Sequence, residues 1–337
     1  MKSITVGSMF SGIGGIDIGF EQAGFSIKWA NEYNLKSCQT FRHYSSFKEV
    51  VLFEKDVHEL KPSEVDSVDV ITSGFPCQAF SIAGYRQGFN DKKGRGNLFF
   101  ETARFIEELK PKAYLLENVR NLQNHDNGNT LKIIRDTLVK DLGYSFIPFV
   151  LNSKDFGNIP QTRERIYIVG FRGESNNEYN FENKSQKNKK IRTSMFEIPD
   201  KIKLTKTIHD CLDLRKQPEC FYYNSDHKYY PILKEEMKNK DTIYQWRRIY
   251  VRENKSNLCP TLTANMGAGG HNVPLIIDDY GIRKLTPKEC LNFQGYPKNF
   301  NFPKDMALSH CYMQAGNSVV VPVIKRIAQS IMEVLND

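Results

Sequence analysis

The sequence predicts an α/β chain built on a largely parallel sheet, with a smaller and irregular second domain behind it. Three observations carry that reading. From Ile4 to about Arg172, short apolar runs alternate with helical patterns, as strand–helix crossovers onto a doubly covered sheet require. Composition then changes abruptly over Gly173–Lys206, where Lys184-Ser185-Gln186-Lys187-Asn188-Lys189-Lys190 cannot build a core. Beyond that stretch, Thr207 to about Asp279 mixes aromatic and basic residues with a glycine cluster and shows no clear period.

The first run, Ile4–Phe10, feeds Phe10-Ser11-Gly12-Ile13-Gly14-Gly15 and then the helical pattern Ile16–Ala23. Glycines at a strand-to-helix turn let the backbone approach a ligand closely, and the helix start favours polar or anionic groups. The dinucleotide pattern GxGxxG is not completed, because position 17 is Asp. A nucleoside-type cofactor without a pyrophosphate fits better. The run Phe25–Ala30 leads to Glu32, where an acid usually receives ribose hydroxyls. Val50–Phe53 precedes Asp56, which is placed to take an adenine amino group. Taken singly, these are also ordinary turn glycines and solvated acids; their order after consecutive strands favours the nucleoside.

Val68–Thr72 reads as a buried strand and runs into Gly74-Phe75-Pro76-Cys77-Gln78-Ala79-Phe80-Ser81. A thiol on a loop at the carboxyl end of such a strand stands where open α/β sheets hold reactive groups. Pro76 stiffens the loop, and a rigidly held thiolate is a nucleophile. The plainer alternative is a small buried hydrophobe. After a helix over Asn97–Leu109, the strand Ala113–Leu116 ends in Glu117-Asn118-Val119-Arg120. Glu117 can share a rim with Cys77, unless it caps a helix or pairs with Arg120. A helix over Thr130–Leu142 and a strand over Ser145–Leu151 follow. Gln161-Thr162-Arg163-Glu164-Arg165 then leads two arginines into the strand Arg165–Phe171. Arg165 is able to hold a substrate through a forked contact; an exposed ion pair is the ordinary role. Val319–Leu335 closes the reading as an apolar helix able to pack back on the first sheet.

Bulk properties set the class. A chain of 337 residues, 40% hydrophobic and 26% charged, has room for one large domain and a smaller one. Its net charge of +8 suggests a polyanionic partner. Seven cysteines, odd in number and without a CxxC pair, read as reduced thiols of a cytoplasmic protein. Met1-Lys2-Ser3 opens no signal peptide and no long apolar stretch follows, so no membrane partner is expected. The histidines and cysteines never cluster at ligand spacing, so no metal is expected either.

In order, these segments resemble the DNA (cytosine-5)-methyltransferase family of bacterial restriction-modification type. Phe10–Gly15 is similar to its first cofactor motif, Gly74–Ser81 to its Pro-Cys loop, Glu117-Asn118-Val119 to its acid motif and Gln161–Tyr167 to its Gln-x-Arg-x-Arg motif. Arg283–Cys290 with Gln294-Gly295-Tyr296-Pro297 resembles the ninth motif, and Gln314-Ala315-Gly316-Asn317-Ser318-Val319 the last. The resemblance implies a Rossmann-like S-adenosyl-L-methionine-dependent methyltransferase fold and a target-recognition domain. It implies a catalytic domain over 1–182, a basic linker over 183–206 and target recognition over 207–281. A hinge and ninth-motif region over 282–316 and a closing helix over 317–337 complete the division. It implies Cys77, Glu117, Arg163 and Arg165 as the catalytic set. The S-adenosyl-L-methionine shell becomes Phe10, Gly12, Gly14, Glu32, Asp56, Pro76, Leu98, Asn317 and Val319.

The implied substrate is cytosine in double-stranded DNA, flipped from the helix, with Gln78 and Ser81 on the target strand. Arg86 or Gln87 would fill the space it leaves. In the small domain, Tyr244–Arg252 interleaves basic and aromatic residues, and Cys259–Asn272 carries Thr261-Leu262, similar to a recognition-domain element. Arg247, Arg248, Arg252 and Thr261 are candidate DNA contacts, with guanine edges the expected target of the arginines. That domain also looks similar to recognition domains for CC-to-GG sites such as CCNGG. A monomer and a cognate restriction endonuclease are further implications. A nicotinamide oxidoreductase, an RNA methyltransferase and a binding-only module are the rival readings. The incomplete glycine pattern, the basic second domain and the intact Cys77, Glu117 and Arg165 weigh against each in turn.

Overall fold

The computed structural model describes residues 3–76, 98–173, 196–247, 249–267 and 273–336. Its first part contains β1 (Thr5–Met9), α1 (Gly15–Gln22), β2 (Ser26–Asn31), α2 (Leu35–His43), β3 (Val51–Phe53) and β4 (Val70–Ser73). There follow α3 (Leu98–Leu109), β5 (Ala113–Val119), α4 (Asn129–Asp136), β6 (Ile147–Asn152), α5 (Ser153–Phe156), β7 (Gln161–Thr162) and β8 (Glu164–Phe171). Seven of these strands form one sheet in the order β3-β2-β1-β4-β5-β8-β6. The pairs among β3, β2, β1, β4 and β5 are parallel, as the strand–helix alternation predicts. Strand β8 is the exception, antiparallel to both β5 and β6.

Period-two alternation gives this sheet two buried faces. Val70, Leu115, Tyr167 and Val169 join Ile16 and Phe20 of α1 and the closing helix α9 (Val321–Asn336) on one side. Ile71, Leu116, Ile166 and Ile168 join Phe99, Ala103 and Ile106 of α3 and Ile134 of α4 on the other. The stretch expected as a linker is attached where it is described. Phe196 packs against Phe149 and Phe171, and Ile202 N donates to the Asp155 carbonyl at 2.8 Å.

The segment without a period holds β9 (Tyr222–Tyr223), α6 (Tyr230–Glu236), β10 (Tyr244–Arg247), β11 (Tyr250–Glu253), β12 (Cys259–Pro260), β13 (Leu275–Asp278) and β14 (Gly281–Lys284). Five of them form an antiparallel sheet, β11-β10-β13-β14-β9, while β12 pairs in parallel with β7 of the first domain. Because β14 runs on to Lys284, the small sheet extends past the 281/282 boundary expected from sequence. The helices α7 (Pro287–Asn292) and α8 (Leu308–Asn317) lie between that sheet and α9 along the chain.

Arg283 fixes this junction. It is fully buried, and its guanidinium meets Asp278 at 2.6 Å and both oxygens of Glu289 at 2.8 Å. Glu289 also completes the capping box of α7 with Thr286. Here the ninth-motif residues act as an internal knot between β13, β14 and α7. A second buried charge lies at the start of α1. Asp17 is wholly buried, and neither of its oxygens has a hydrogen-bond partner among the described residues. Burial raises its carboxyl to about 7, with the Ser8 hydroxyl acting in the opposite direction.

Two outcomes follow. Arg283→Ala strands two buried carboxylates and lowers unfolding free energy by roughly 3–5 kcal/mol in urea titrations. Folded Asp17 keeps its proton to about pH 7, whereas its unfolded value is near 3.8. Folding therefore takes up a proton between these values, and stability falls as pH rises across that window. Asp17→Asn lacks the uptake, so its stability relative to wild type climbs from about pH 4 to about pH 7 in urea titrations at each pH.

Candidate active site

The carboxyl ends of β1 to β5 meet at one rim, because the strands that carry them are parallel. At the end of β1 the chain turns sharply. Phe10 and Gly12 take left-handed φ values of 55° and 58°, a conformation costly for Phe10. A Cβ built on Gly12 meets nothing within 4 Å, so open space lies over the turn. At Gly15 the opposite holds: a Cβ there falls 2.7 Å from both the Ser318 and Tyr296 hydroxyls and 2.9 Å from Val319. Gly15 thus lets the segment after α8 press on the start of α1. This places Val319 beside the turn, buried in the core, with Asn317 exposed at the end of α8.

Glu32 sits at the end of β2, buried and held by two backbone donors, Gly12 N at 2.9 Å and Asn34 N at 2.7 Å. Burial raises its carboxyl, and those N–H groups oppose the rise. Each oxygen keeps a lone pair for a hydroxyl donor. Asp56 is exposed after β3, accepting from His58 N at 2.9 Å with the His58 ring Nδ1 at 2.6 Å. Pro76 is exposed and Leu98 half-buried. An open glycine turn beside the oriented Glu32 carboxylate, with Asp56 after the strand beyond it, fits a nucleoside with ribose hydroxyls and an exocyclic amine.

Next along the rim, a Cβ on Gly74 lies 3.9 Å from both the Phe10 carbonyl oxygen and Glu117 Oε2. One residue's breadth thus separates the turn from the acid. Asn118 Nδ2 donates to the Phe75 carbonyl at 2.8 Å and pins the approach to position 77. Cys77, Gln78, Ser81, Arg86, Gln87 and Arg248 lie outside the described residues.

Glu117 and Arg165 come together through β8. Val119 pairs with Arg165 and Glu117 with Tyr167, so the entry of the reversed strand adjoins the exit of β5. Arg165 Nε sits 3.1 Å from Glu117 Oε1, with the two side chains 15% and 11% exposed. Burial raises the Glu117 carboxyl, while the Arg165 and then the Arg163 charges pull it down. Arg120, the alternative partner for Glu117, binds Glu164 at 2.5 Å instead.

Arg163 is not shaped for substrate contact. It is buried and donates to the carbonyls of Leu262 at 2.7 Å, Gly316 at 3.2 Å and Ser318. Gln161 has the same bracing geometry: it donates to the Phe293 carbonyl at 2.6 Å and accepts from Leu262 N at 3.2 Å. Sequence reading gave Gln161 and Asn118 no role of their own, although each stands in a motif that was recognised. Arg247 and Arg252 are exposed, and Thr261 Oγ1 donates to the Thr162 carbonyl at 2.5 Å. Arg247, Arg252 and Thr261 line a cleft of about 910 Å³ with Thr162.

The model of the family described as C-5 cytosine-specific DNA methylase matches residues 4–333. The chain belongs to that family. This methylase is 53% identical to the type II methyltransferase M.Bsp6I of Bacillus sp. (strain RFL6) over 331 residues, covering 97% of one chain and 98% of the other. It is 37% identical to M.HaeII of Haemophilus aegyptius, covering all of this chain and 95% of that one. Its fold matches a DNMT2 of Spodoptera frugiperda with a TM-score of 0.71 at 20% identity, over 99% and 100% of the two chains. The family assignment agrees with the resemblance read from the motifs, and it makes this methylase a DNA (cytosine-5-)-methyltransferase.

In the methylase, Glu117 should titrate above the ordinary carboxyl range, and Arg165→Leu should raise it further by removing the nearest cation. Infrared difference spectra, with Glu117→Gln identifying the carboxyl band, measure both.

Proposed function

We propose that the protein transfers a methyl group from S-adenosyl-L-methionine to C5 of a cytosine flipped out of double-stranded DNA, through a covalent Cys77–C6 adduct. The observation that carries this reading is the acid–guanidinium pair Glu117–Arg165, one residue's breadth from the glycine turn and at the rim to which β4 leads Cys77.

Cytosine C5 is a poor nucleophile, so electron density must first be supplied at C6. The Cys77 thiolate does this by adding to C6; once C5 carries the methyl group, the C5 proton passes to a base such as water and the sulfur is expelled as thiolate. An ordinary thiol with a pKa of about 8.5 is only slightly ionised at neutral pH, so the closed site must favour the anion. As the sulfur bonds, charge moves to N3 of the ring. Glu117, with its carboxyl raised by burial, holds a proton there and hydrogen-bonds the exocyclic amine. Arg165 orients Glu117 from one side and is free to take the base carbonyl with its remaining donors. S-adenosyl-L-methionine, when bound, supplies an electrophilic methyl group. Gly12, Glu32 and Asp56 would hold its nucleoside part, with Phe10, Gly14, Pro76, Leu98, Asn317 and Val319 around it. Arg163 serves by position, tying the strand that carries Arg165 to the chain at Leu262 and Ser318.

Target-strand contacts fall to Gln78 and Ser81, and Arg86 or Gln87 would fill the vacated stack. Arg248 and Thr261 join Arg247 and Arg252 along the DNA. The kinship with type II methyltransferases supports a protective role beside a cognate endonuclease. The reaction takes place in the cytoplasm, where the DNA is.

Duplex DNA bearing 5-fluorocytosine at the modified position should trap the protein, since the ring substituent cannot leave. Mass spectrometry should find the adduct at Cys77. An intact chain after that incubation, or methyl label from tritiated cofactor on tRNA rather than DNA, overturns the reading. Bisulfite sequencing of DNA from expressing cells reads the target and tests the CC-to-GG expectation.

A further inference from the structure

We infer that the β10–β11 ribbon enters the major groove and reads a guanine through Arg247, with Gln245 as the residue that aims it. This rests on the DNA-methylating function proposed above.

The register of the ribbon separates two faces. Tyr244, Trp246 and Val251 are buried with Leu233, Met237, Leu275 and Ile282, and anchor the ribbon to its own sheet. Gln245 and Arg247 point the other way, as do their register partners Arg252 and Tyr250. That face lines the cleft whose floor is the β7–β12 pair, Thr162 beside Pro260. Thr162 belongs to the short segment that ends at Arg165, so floor and acid site are parts of one piece of chain. A two-stranded ribbon has the width that the major groove admits. Ile249, next to the polar face, is 87% exposed, an apolar side chain that groove walls would cover.

Arg247 is set up to recognise something outside the chain. Elsewhere on the surface, Arg42, Arg120 and Arg215 hold carboxylates at 2.9, 2.5 and 2.6 Å. Among the described residues no carboxylate pairs with Arg247. Its Nη2 donates instead to Gln245 Oε1 at 3.1 Å. A neutral amide leaves the positive charge uncompensated while fixing the plane of the guanidinium. The donors left over form a fork, and the paired O6 and N7 acceptors of guanine match it. A phosphate contact needs no such fixed plane, since any donor near the backbone serves. The brace therefore favours base reading over backbone anchoring, and it makes Gln245 a specificity-determining positioning residue.

The test uses the full-length protein on duplexes carrying its bisulfite-mapped site, with each guanine in turn replaced by 7-deazaguanine. That change removes the N7 acceptor and leaves base pairing intact. Wild type should lose about tenfold in kcat/KM at one guanine of the site. Arg247→Ala should lose that penalty and keep the penalties at other guanines. Gln245→Leu should shrink the same penalty and leave the penalties at the other guanines unchanged. If Arg247→Ala keeps every penalty, or slows all duplexes equally, Arg247 does not read a base and the inference falls. A full penalty in Gln245→Leu likewise removes the role of Gln245. A wild-type protein that labels no DNA overturns the proposed function and this inference with it.

Discussion

The reversal of β8 within an otherwise parallel run is the constraint on which the candidate site depends. The glycine turn, Glu32 and Glu117 reach one rim simply by ending parallel strands. A basic partner for Glu117 must come from a strand that begins at that rim, and only a strand running the other way does so. Were the eight residues of β8 parallel to β5, Arg165 would enter at the far edge, roughly 25 Å away. Antiparallel pairing instead sets Arg165 opposite Val119 and within reach of Glu117. The same reversal brings Gln161 and Arg163 to the rim, where the second half of the chain is fastened.

That fastening explains why two arginines of one short motif do different work. Gln161, Arg163 and Arg165 alternate along the chain and share a face, yet their depths differ. Arg163 is withdrawn among backbone carbonyls, and burial, followed by the Arg165 charge, lowers it to about 9, where it is still a cation at neutral pH. Three carbonyls from two distant stretches of chain, Leu262 and Gly316 with Ser318, compensate that charge, so the cation is the element that holds the stretches together. Arg165 lies beside an acid instead, with its side chain 15% exposed at the rim. The Arg283 knot repeats the first pattern in the small domain, where a buried cation joins two acids and a helix cap. A buried ion network of this kind contributes position more than net stability.

Much of this was legible in the residues. The parallel strands announced themselves as apolar runs closed by Gly, Asn or Asp, and Glu117 and Arg165 stood out as charges at the ends of such runs. What pattern could not give was direction: nothing in Glu164–Phe171 distinguishes a reversed strand from a parallel one. Nor could it separate Arg163 from Arg165, which share composition and spacing and differ only in what lies above them. The choice between Arg165 and Arg120 for Glu117 was settled by the pleat, which turns Glu164 toward Arg120. The small sheet escaped notice because its strands span two to four residues, too few to show a period. Asp17 registered only as a break in a glycine motif; its burial without a hydrogen-bond partner among the described residues is a property of packing.

The helix α9 has a consequence for how the protein is made. Its apolar side, Ile324, Ile327 and Ile331, covers Ile16 and Phe20 of α1 and the sheet face with Val6 and Leu115. Those early residues leave the ribosome before residues 321–336 exist, so the part of the sheet face that α9 covers gains its cover last. The cofactor domain closes only when this late helix docks. Release of α9 uncovers α1 and that sheet face together, so residues from the two ends of the described chain should lose their structure in one step.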